Sequence, residues 1–326
     1  MLRNFSRQAD HIVSADPAAV EPTPVIWFDL LNPAIDESRA VEAALDIAIP
    51  TRDEMEEIEL SARLYQEDGA EFMTMTALAG LDGDDPVKTP VTFILKGESL
   101  VTVRYADPKP FETFIIRAKR SNGLVCTNGE TVMLGLLESV IDRLADVLER
   151  VGNEIDGVSR EVFRSKAAKV NKKTRDLQSL IEQIGRKGDL LTGARESLVS
   201  ISRLVAYHAA LETPARKVAK ETRQRIKLLQ RDAVSLGDHA QFLQGKINFL
   251  LDATLGLINL EQNQIIKIFS VASVAFLPPT LVASIYGMNF ETMPELQWQI
   301  GYPMAIGLMV LSAVLPYLYF RRRGWL

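Results

Sequence analysis

The sequence predicts an α/β domain at the N-terminal end of the chain, a helical region with one very long helix, and two membrane-spanning helices at the C-terminal end. Three observations lead to this fold class. Strand and helix signals alternate in the first third of the chain, and residues 215–277 contain no proline. Residues 268–286 and 302–320 are two uncharged apolar segments of 19 residues each. At the helical rise such a segment reaches roughly 28 Å, close to the hydrocarbon thickness of a bilayer.

The α/β domain begins with a short strand and two helices. Residues 25–30 are a compact run of β-branched and aromatic residues, which predicts a strand, and a helical pattern follows at 36–45. Thr51 and Glu54 have the spacing of a capping box, in which each side chain bonds the backbone amide of the other. They predict a helix that opens at Thr51 and runs to about residue 60.

Two hairpins complete the domain, which we expect to end at about residue 125. Asp68-Gly69 and Gly97 are turn signals between apolar runs. The paired strands are predicted at 62–66 with 70–79 and at 91–96 with 99–105. No Gly-rich phosphate loop, nucleophile elbow or metal-ligand spacing occurs in this sequence, so we expect neither an enzyme nor an organic cofactor.

The helical region is predicted at residues 126–213. Apolar residues recur at intervals of three and four from about residue 131 onward, and two further helices, 167–191 and one ending near 211, are separated at Thr192-Gly193. Residues 138–161 are rich in acids. A solvated helix face is the simpler interpretation of these acids, and weak attraction of cations is the alternative.

The region 214–286 is predicted to be one helix that continues into the membrane at about residue 268. Some 70 residues would make a rod of about 100 Å. A single chain offers nothing that would bury such a rod along its length, so we expect parallel copies of it to associate.

Charge distribution predicts the topology. Three arginines lie in the tail, residues 321–326, and lysines precede the first span, whereas the loop 287–301 contains neither Lys nor Arg. The positive-inside rule therefore places both termini in the cytoplasm. No secretory signal is visible, and the net charge of −5 argues against a nucleic-acid partner. We expect Cys126 to pack in a core, and His208 and His239 to lie on helix surfaces.

A polar stripe follows the first span. Its residues are spaced so that they share one helix face: Asn263, Ile266, Ser270, Ser273, Leu277, Thr280 and Ser284. The simpler interpretation is close helix packing through small residues. The alternative is a water-filled path lined by one such helix from each subunit. We expect Gly287, Met288 and Asn289 to continue the helix to its outer end, so that a symmetric oligomer would carry a ring of amides at the pore mouth.

An amide ring suits a hydrated divalent cation. Mg²⁺ gives up its waters reluctantly, and neutral carbonyl oxygens can accept hydrogen bonds from its hydration shell. Such a ring also binds weakly enough to release the ion, as conduction requires. Glu291 and Glu295, in a loop without positive charge, either attract cations to the mouth or are ordinary solvated acids.

Short motifs in the C-terminal part resemble a known family. The resemblance rests on Tyr286-Gly287-Met288-Asn289-Phe290, Met293-Pro294-Glu295-Leu296, Leu277-Pro278-Pro279-Thr280 and the basic C-terminus. With these motifs the chain resembles the CorA magnesium and cobalt transporters of bacteria. The resemblance is most specific over residues 259–326. Over the N-terminal domain it lies in the order of the predicted elements more than in short motifs.

The resemblance implies a funnel-shaped homopentamer in the inner membrane. It implies that Gly287, Met288 and Asn289 form the selectivity filter. It also implies an apolar constriction at Phe269 and pore-lining positions along the stripe, Asn263, Leu277 and Thr280 among them. The resemblance further implies gating by cytoplasmic Mg²⁺ bound to carboxylates, for which the candidates are Asp82, Asp84, Asp85 and Asp232.

The predicted function is a divalent-cation channel for influx of Mg²⁺, and also of Co²⁺ and Ni²⁺. Its expected partners are copies of itself, membrane lipid and the cations, with Mg²⁺ both transported and regulatory. Two alternatives remain open. One is a zinc transporter of the same superfamily, and the other is a non-conducting scaffold tethered to the membrane.

Overall fold

The computed structural model describes residues 1–9, 11–15, 24–83, 86–120, 125–164, 177–211, 220–289 and 293–323. The strands in this part of the chain are β1 Leu2–Gln8, β2 His11–Ser14, β3 Val25–Leu31, β4 Leu64–Glu67, β5 Ala70–Ala79, β6 Val87–Lys96 and β7 Ser99–Arg104. The helices are α1 Ile35–Leu45, α2 Arg52–Glu56, α3 Leu60–Arg63, α4 Lys109–Ala118, α5 Gly129–Arg164, α6 Leu177–Ala210, α7 Lys220–Tyr286 and α8 Gly301–Arg322, with a short 3-10 helix at Pro294–Gln297.

The strands form one mixed sheet in the order β2-β1-β3-β7-β6-β5-β4. Strand β3 pairs with β7 in parallel, and the other pairs are antiparallel. Both predicted hairpins are present, because positive backbone φ angles at Asp68, Gly69 and Gly97 close the turns. The hairpin of β1 and β2 and the helix α4 add to the elements that the sequence predicted.

The predicted capping box is present, but its helix is shorter than expected. Thr51 Oγ1 accepts a hydrogen bond from the Glu54 amide, and the Glu54 carboxylate accepts one from the Thr51 amide. Helix α2 nevertheless ends at Glu56, because Glu57 has an extended backbone (φ −57°, ψ 144°), and a new turn starts at Leu60. The predicted strand at 62–66 consequently begins only at Leu64.

Both faces of the sheet are covered. Helices α1 and α2 cover one face, where Val41 and Met55 pack on Phe72, Ile94 and neighbouring strand residues. Helices α4, α5 and α6 cover the other, which carries Trp27 and Phe93. Because both faces are covered, β5 is buried nearly throughout, and apolar residues such as Phe72 and Met73 are adjacent in it instead of alternating with polar ones.

An ion pair is fully buried in this domain. Arg104 binds both carboxylate oxygens of Asp29, with distances of 2.9 and 2.8 Å, and its guanidinium lies 4.6 Å from the ring centroid of Phe111. The hydroxyl of Thr102 donates to Asp29 at 2.9 Å and accepts from the Trp27 indole at 2.9 Å. The pair ties β3 to β7, the two parallel strands.

In the described part of the helical region, the helices α5 and α6 precede α7. Helix α6 runs unbroken through Thr192-Gly193, so the predicted separation there is wrong. The Thr192 hydroxyl bonds the Gly188 carbonyl within the helix at 2.9 Å, and Gly193 packs against Leu78 of β5, where a Cβ would lie 3.1 Å from the leucine side chain. Thr and Gly therefore serve close packing on the sheet here, and they do not end the helix.

The chain divides into two compact units, Met1–Leu250 and Leu251–Leu326. In the part of the chain that the structure describes, α7 and α8 are the two helices long and apolar enough to cross a membrane. Both predicted spans are therefore helical. Pro278 and Pro279 lie inside α7, where they remove two backbone donors and leave the carbonyls of Val274 and Ala275 without their usual helical bonds.

Candidate functional site

The Gly287-Met288-Asn289 triplet lies just beyond the end of α7. The helix ends at Tyr286, and the chain turns there: the Gly287 amide donates to the Ala283 carbonyl at 2.9 Å, and the Met288 amide donates to Ile285 at 3.3 Å. The expectation that the triplet continues the helix is therefore wrong. The Met288 bond reaches back three residues instead of four, Asn289 lies outside the helix, and all three residues of the triplet are exposed.

The small size of Gly287 matters in this turn. A Cβ at this position would lie 3.1 Å from the Ala283 carbonyl oxygen, which is tighter than an ordinary contact. That carbonyl already accepts the Gly287 amide, so a side chain would press on the bond that closes the helix. Glycine therefore lets the chain turn directly at the membrane end of α7.

The predicted stripe is on the surface of the single chain. Ser270 is half-buried, and the remaining stripe positions and Phe269 are exposed: Asn263, Ile266, Ser273, Leu277, Thr280 and Ser284. The Thr280 hydroxyl donates to the Phe276 carbonyl at 2.8 Å, which satisfies it within its own helix. One chain thus supplies one wall of the predicted path, and a closed path needs further copies.

A seven-residue step connects this stripe to the N-terminal part of α7. Counting back from Ser270 and Asn263 in sevens gives Gly256 and then Phe249, Phe242, Ser235 and Leu228. Phe242 is 66% exposed and Phe249 is 60% exposed. A repeat of seven is the period at which neighbouring helices pack as a coiled coil. The sequence predicted that copies of this helix associate, but not which face of the helix they share.

The other face of α7 packs on its own domain. The buried positions of its cytoplasmic part are Ile226, Leu229, Ala233, Ala240, Leu243, Ile247 and Leu250. Leu243 packs beside Gly152 of α5, and Lys246 pairs with Asp156. The prediction that nothing in a single chain buries this helix is therefore wrong for its cytoplasmic part. The face that carries Phe242 and Phe249 is the one left exposed.

The loop between α7 and α8 is folded against the start of α8. The Gly301 amide donates to the Trp298 carbonyl at 3.0 Å, and the Trp298 amide donates to the Glu295 carbonyl at 3.3 Å. Glu295 is half-buried in the 3-10 helix, while Glu291 lies outside the described residues. The loop that follows the triplet is thus a structured turn over this stretch.

Two of the four proposed regulatory carboxylates, Asp82 and Asp232, lie in the part of the chain that the structure describes, and each has a basic partner. Asp82 is paired with Lys109 and Arg143, and the hydrogen bond from Lys109, followed by the nearby charges, lowers the pKa of Asp82. Asp232 is exposed on α7 beside Arg231. Asp84 and Asp85 lie outside the described residues. Among the residues that the structure does describe, no three His, Cys, Asp or Glu side chains are arranged to hold a metal ion.

Acidic residues of α5 and α7 do share a surface. Burial raises the pKa of Asp142, and the negative charges of Glu138, Asp146 and Asp232 raise it further, while Arg117 opposes them. Asp142 itself is 72% exposed. The acid-rich stretch is therefore largely a solvated face, and part of it lies close to Asp232.

Comparison with known proteins identifies the family. A sequence model described as CorA-like Mg²⁺ transporter protein matches residues 23–322. The chain belongs to the CorA family. The magnesium transport protein CorA of Haemophilus ducreyi is 36% identical over 329 residues, and that of Escherichia coli K12 is 36% identical over 327, with the whole of both chains covered in each case.

Solved CorA structures have the same fold. The complete structure of the CorA magnesium transporter from Methanocaldococcus jannaschii matches with a TM-score of 0.78 at 19% identity, covering 100% of this chain and 99% of that one. The cytoplasmic domain of ZntB from Vibrio parahaemolyticus matches with a TM-score of 0.56 at 9% identity, covering 79% and 97%. The first match supports the CorA-type architecture of an α/β domain, a long helix and two C-terminal apolar helices, and the second supports the fold of the part of the chain that it covers.

One histidine in this CorA chain is placed differently from expectation. His208 is 2% exposed, so the prediction of a helix-surface position is wrong, whereas His239 is exposed as predicted. Glu71 of β5 and Glu130 of α5 enclose the His208 ring. Sequence periodicity did not reveal this site because the two carboxylates are 137 and 78 residues away. Cys126 is buried as expected, and burial raises the pKa of its thiol to about 11.

Proposed function

We propose that the protein is a CorA-type channel that conducts Mg²⁺ into the cytoplasm, and that it also conducts Co²⁺ and Ni²⁺. The observation that carries the proposal is the Gly287-Met288-Asn289 turn at the end of a membrane-length helix in a chain of this family. The full-length relatives are named magnesium transport proteins. This assignment makes the protein a transporter and not an enzyme.

Selection would take place at the Asn289 amides. The side chain is exposed at the point where the chain leaves α7, so symmetric copies can aim their carbonyl oxygens at a common axis. Neutral oxygens can accept hydrogen bonds from the water shell of Mg²⁺, which the ion keeps. Glu295, on the turn that follows, and Glu291 would raise the local cation concentration at this mouth.

The assembly would be a homopentamer built around α7. Leu228, Phe242 and Phe249 are exposed on α7, and Phe249 also stacks with Phe163 of α5. In the membrane the same seven-residue step places Asn263, Ser270, Leu277 and Ser284 toward the axis. Polar groups at membrane depth are stable where they face protein or water, and a pore supplies both.

The membrane would be the inner membrane, with both termini in the cytoplasm. Basic residues flank the cytoplasmic ends of the spans and are absent from the outer loop. At about −100 mV the two charges of the ion gain roughly 4.6 kcal/mol on moving inward. The membrane potential is therefore a sufficient driving force.

Gating would come from cytoplasmic Mg²⁺. Burial is the main cause of the raised pKa of Asp142, and the negative charges of Glu138, Asp146 and Asp232 raise it further. A bound divalent cation would screen the repulsion among these acids and hold the pore shut. Replacing Asp82, Asp84, Asp85 and Asp232 together by Asn should leave uptake insensitive to Mg²⁺ inside the vesicles. Wild-type sensitivity in that variant would rule out these carboxylates.

Flux through purified protein in proteoliposomes tests the proposal. Mg²⁺ uptake should be rapid for the wild type, nearly abolished by Asn289→Ala, and unchanged by Asn248→Ala, the same substitution at an exposed site on the cytoplasmic part of α7. Equal flux through wild type and Asn289→Ala would support the non-conducting scaffold. Preferential transport of Zn²⁺ in competition with Mg²⁺, Co²⁺ and Ni²⁺ would support the zinc transporter.

A further inference from the structure

Two sets of ion pairs hold the chain on either side of the connection between α6 and α7. His208 lies in the last turn of α6, and Arg225 lies in the second turn of α7. Both residues are bound to acids of the same helix, α5. We call Glu71, Glu130 and His208 the latch.

The latch joins three elements of the cytoplasmic unit. His208 Nδ1 lies 2.7 Å from Glu71 Oε2 of β5, and His208 Nε2 lies 2.9 Å from Glu130 Oε1 of α5. Ionised carboxylates only accept hydrogen bonds, so a ring bound to one on each side carries a proton on both nitrogens. Burial alone would lower the pKa of His208, but the hydrogen bonds and charges of Glu130 and Glu71 outweigh it and raise the pKa to about 9.

The positions of Glu130 and His208 at helix ends favour a negative charge on the glutamate and a positive charge on the histidine. Glu130 lies in the first turn of α5, where the exposed amides of the helix stabilise an anion. His208 lies in the last turn of α6, where the exposed carbonyls stabilise a cation. The latch thus joins the N-terminal end of α5 and the C-terminal end of α6, which have complementary polarity, to the start of β5.

The second contact fixes the start of α7. Arg225 Nε and Nη2 donate to the two oxygens of Glu138, each at 2.9 Å, which is the bidentate geometry that restricts orientation most. Glu138 follows Glu130 by eight residues, or about 12 Å along α5. One short stretch of α5 therefore holds the end of α6 and the beginning of α7.

We propose that this stretch of α5 transmits movements of the α/β domain to helix α7, with His208 as the positioning residue of the latch. Arg225 lies in the second turn of α7, so a movement of Glu138 on α5 shifts the start of that helix. Glu71 supplies the connection to the sheet, and Glu130 supplies the connection to α5. The proposal rests on the gating proposed above for its link to conduction.

Hydrogen exchange of the full-length protein in detergent tests the coupling. His208→Gln should speed amide exchange in residues 220–235 at least about fivefold, the lower end of typical coupling between sites. His239→Gln, at an exposed histidine of α7, should leave those amides unchanged. Faster exchange confined to the last turn of α6, with 220–235 unchanged, would overturn the proposal because the latch would then be only local.

The wild-type protein provides a second test that needs no substitution. Raising the pH from about 6 to about 9.5 should discharge His208 and, after correction for intrinsic rates, speed exchange in 220–235 as His208→Gln does. The His208→Gln variant should lack this additional pH effect. An equal pH effect in both proteins would assign it to other groups and overturn the role of His208.

Mg²⁺ uptake distinguishes the latch from the proposed function. His208→Gln should keep the maximal uptake rate and raise the internal Mg²⁺ needed for half-inhibition by about fivefold or more. An unchanged half-inhibition would overturn the link to the gate. Uptake that internal Mg²⁺ never inhibits, even in the wild type, would overturn the proposed gating instead, and exchange would still decide the coupling within the domain.

Discussion

Gly301 lies against the backbone carbonyl of Glu295, and a Cβ at position 301 would lie 2.2 Å from that oxygen. The contact fixes the 3-10 helix of the outer loop on the first turn of α8. Glycine is required because any side chain would push the backbone at Glu295 away. The loop that follows the Gly287-Met288-Asn289 turn is thereby anchored to the second membrane helix.

Gly301→Ala should therefore distort the outer loop. We expect it to destabilise the protein by about 1–3 kcal/mol, as overpacking does, and to lower Mg²⁺ uptake most at low external Mg²⁺ if Glu295 attracts cations. Thermal unfolding and uptake rates at several external concentrations would measure the two effects. Gly307→Ala is the matched control, since a Cβ at Gly307 of α8 meets nothing within 4 Å. Equal behaviour of both variants would contradict the anchoring.

The latch predicts that stability depends on pH. The folded-state pKa of His208, about 9, is above the ordinary value of 6.5, so its stabilisation is complete below about pH 6.5 and is lost as the pH rises to about 9. The shift corresponds to a contribution on the order of 3 kcal/mol. Thermal unfolding should show the gap between wild type and His208→Gln narrowing across that range. A stability difference that does not depend on pH would show that His208→Gln destabilises the protein through lost packing and not through lost charge.

The buried pair of Arg104 and Asp29 should dominate the stability of the α/β domain. Arg104→Met leaves a fully buried carboxylate without its cation and should destabilise the protein by about 3–5 kcal/mol. The control is Arg52→Met, which breaks a solvent-exposed pair with Glu56 and should change stability little. Denaturant unfolding of the two variants would measure this difference. A similar loss in both would contradict the assigned role.

The exposed face of α7 predicts how copies associate. Phe242→Glu should weaken self-association, because it puts a charge on the seven-residue stripe that we propose faces other copies. Gln241→Glu adds the same charge one residue away, turned by about 100° around the helix, and should leave the assembly intact. Native mass measurements in detergent would compare the two. Intact assembly of both variants would place the contact on another face.

Local sequence predicted most of the elements and failed where long-range packing decides. The capping box at Thr51 and the turns at Asp68-Gly69 and Gly97 were predictable because a few adjacent residues determine their geometry. Thr192-Gly193 predicted a break that α6 does not have, because Gly193 packs on Leu78 of β5. The Gly287-Met288-Asn289 triplet was found from its position, although the turn that takes it off α7 was not.

The sequence alone determined the two membrane helices, the long α7, the side of the membrane for each terminus that we propose, and the triplet that marks the family. These features depend on composition and on spacing within one segment, so they can be read without knowing the fold. Tertiary structure alone decided that His208 is buried between Glu71 and Glu130, that Asp82 is occupied by Lys109 and Arg143, and which face of α7 remains exposed. Each of these depends on residues far apart in the chain, whose charges meet only when the helices pack on the sheet.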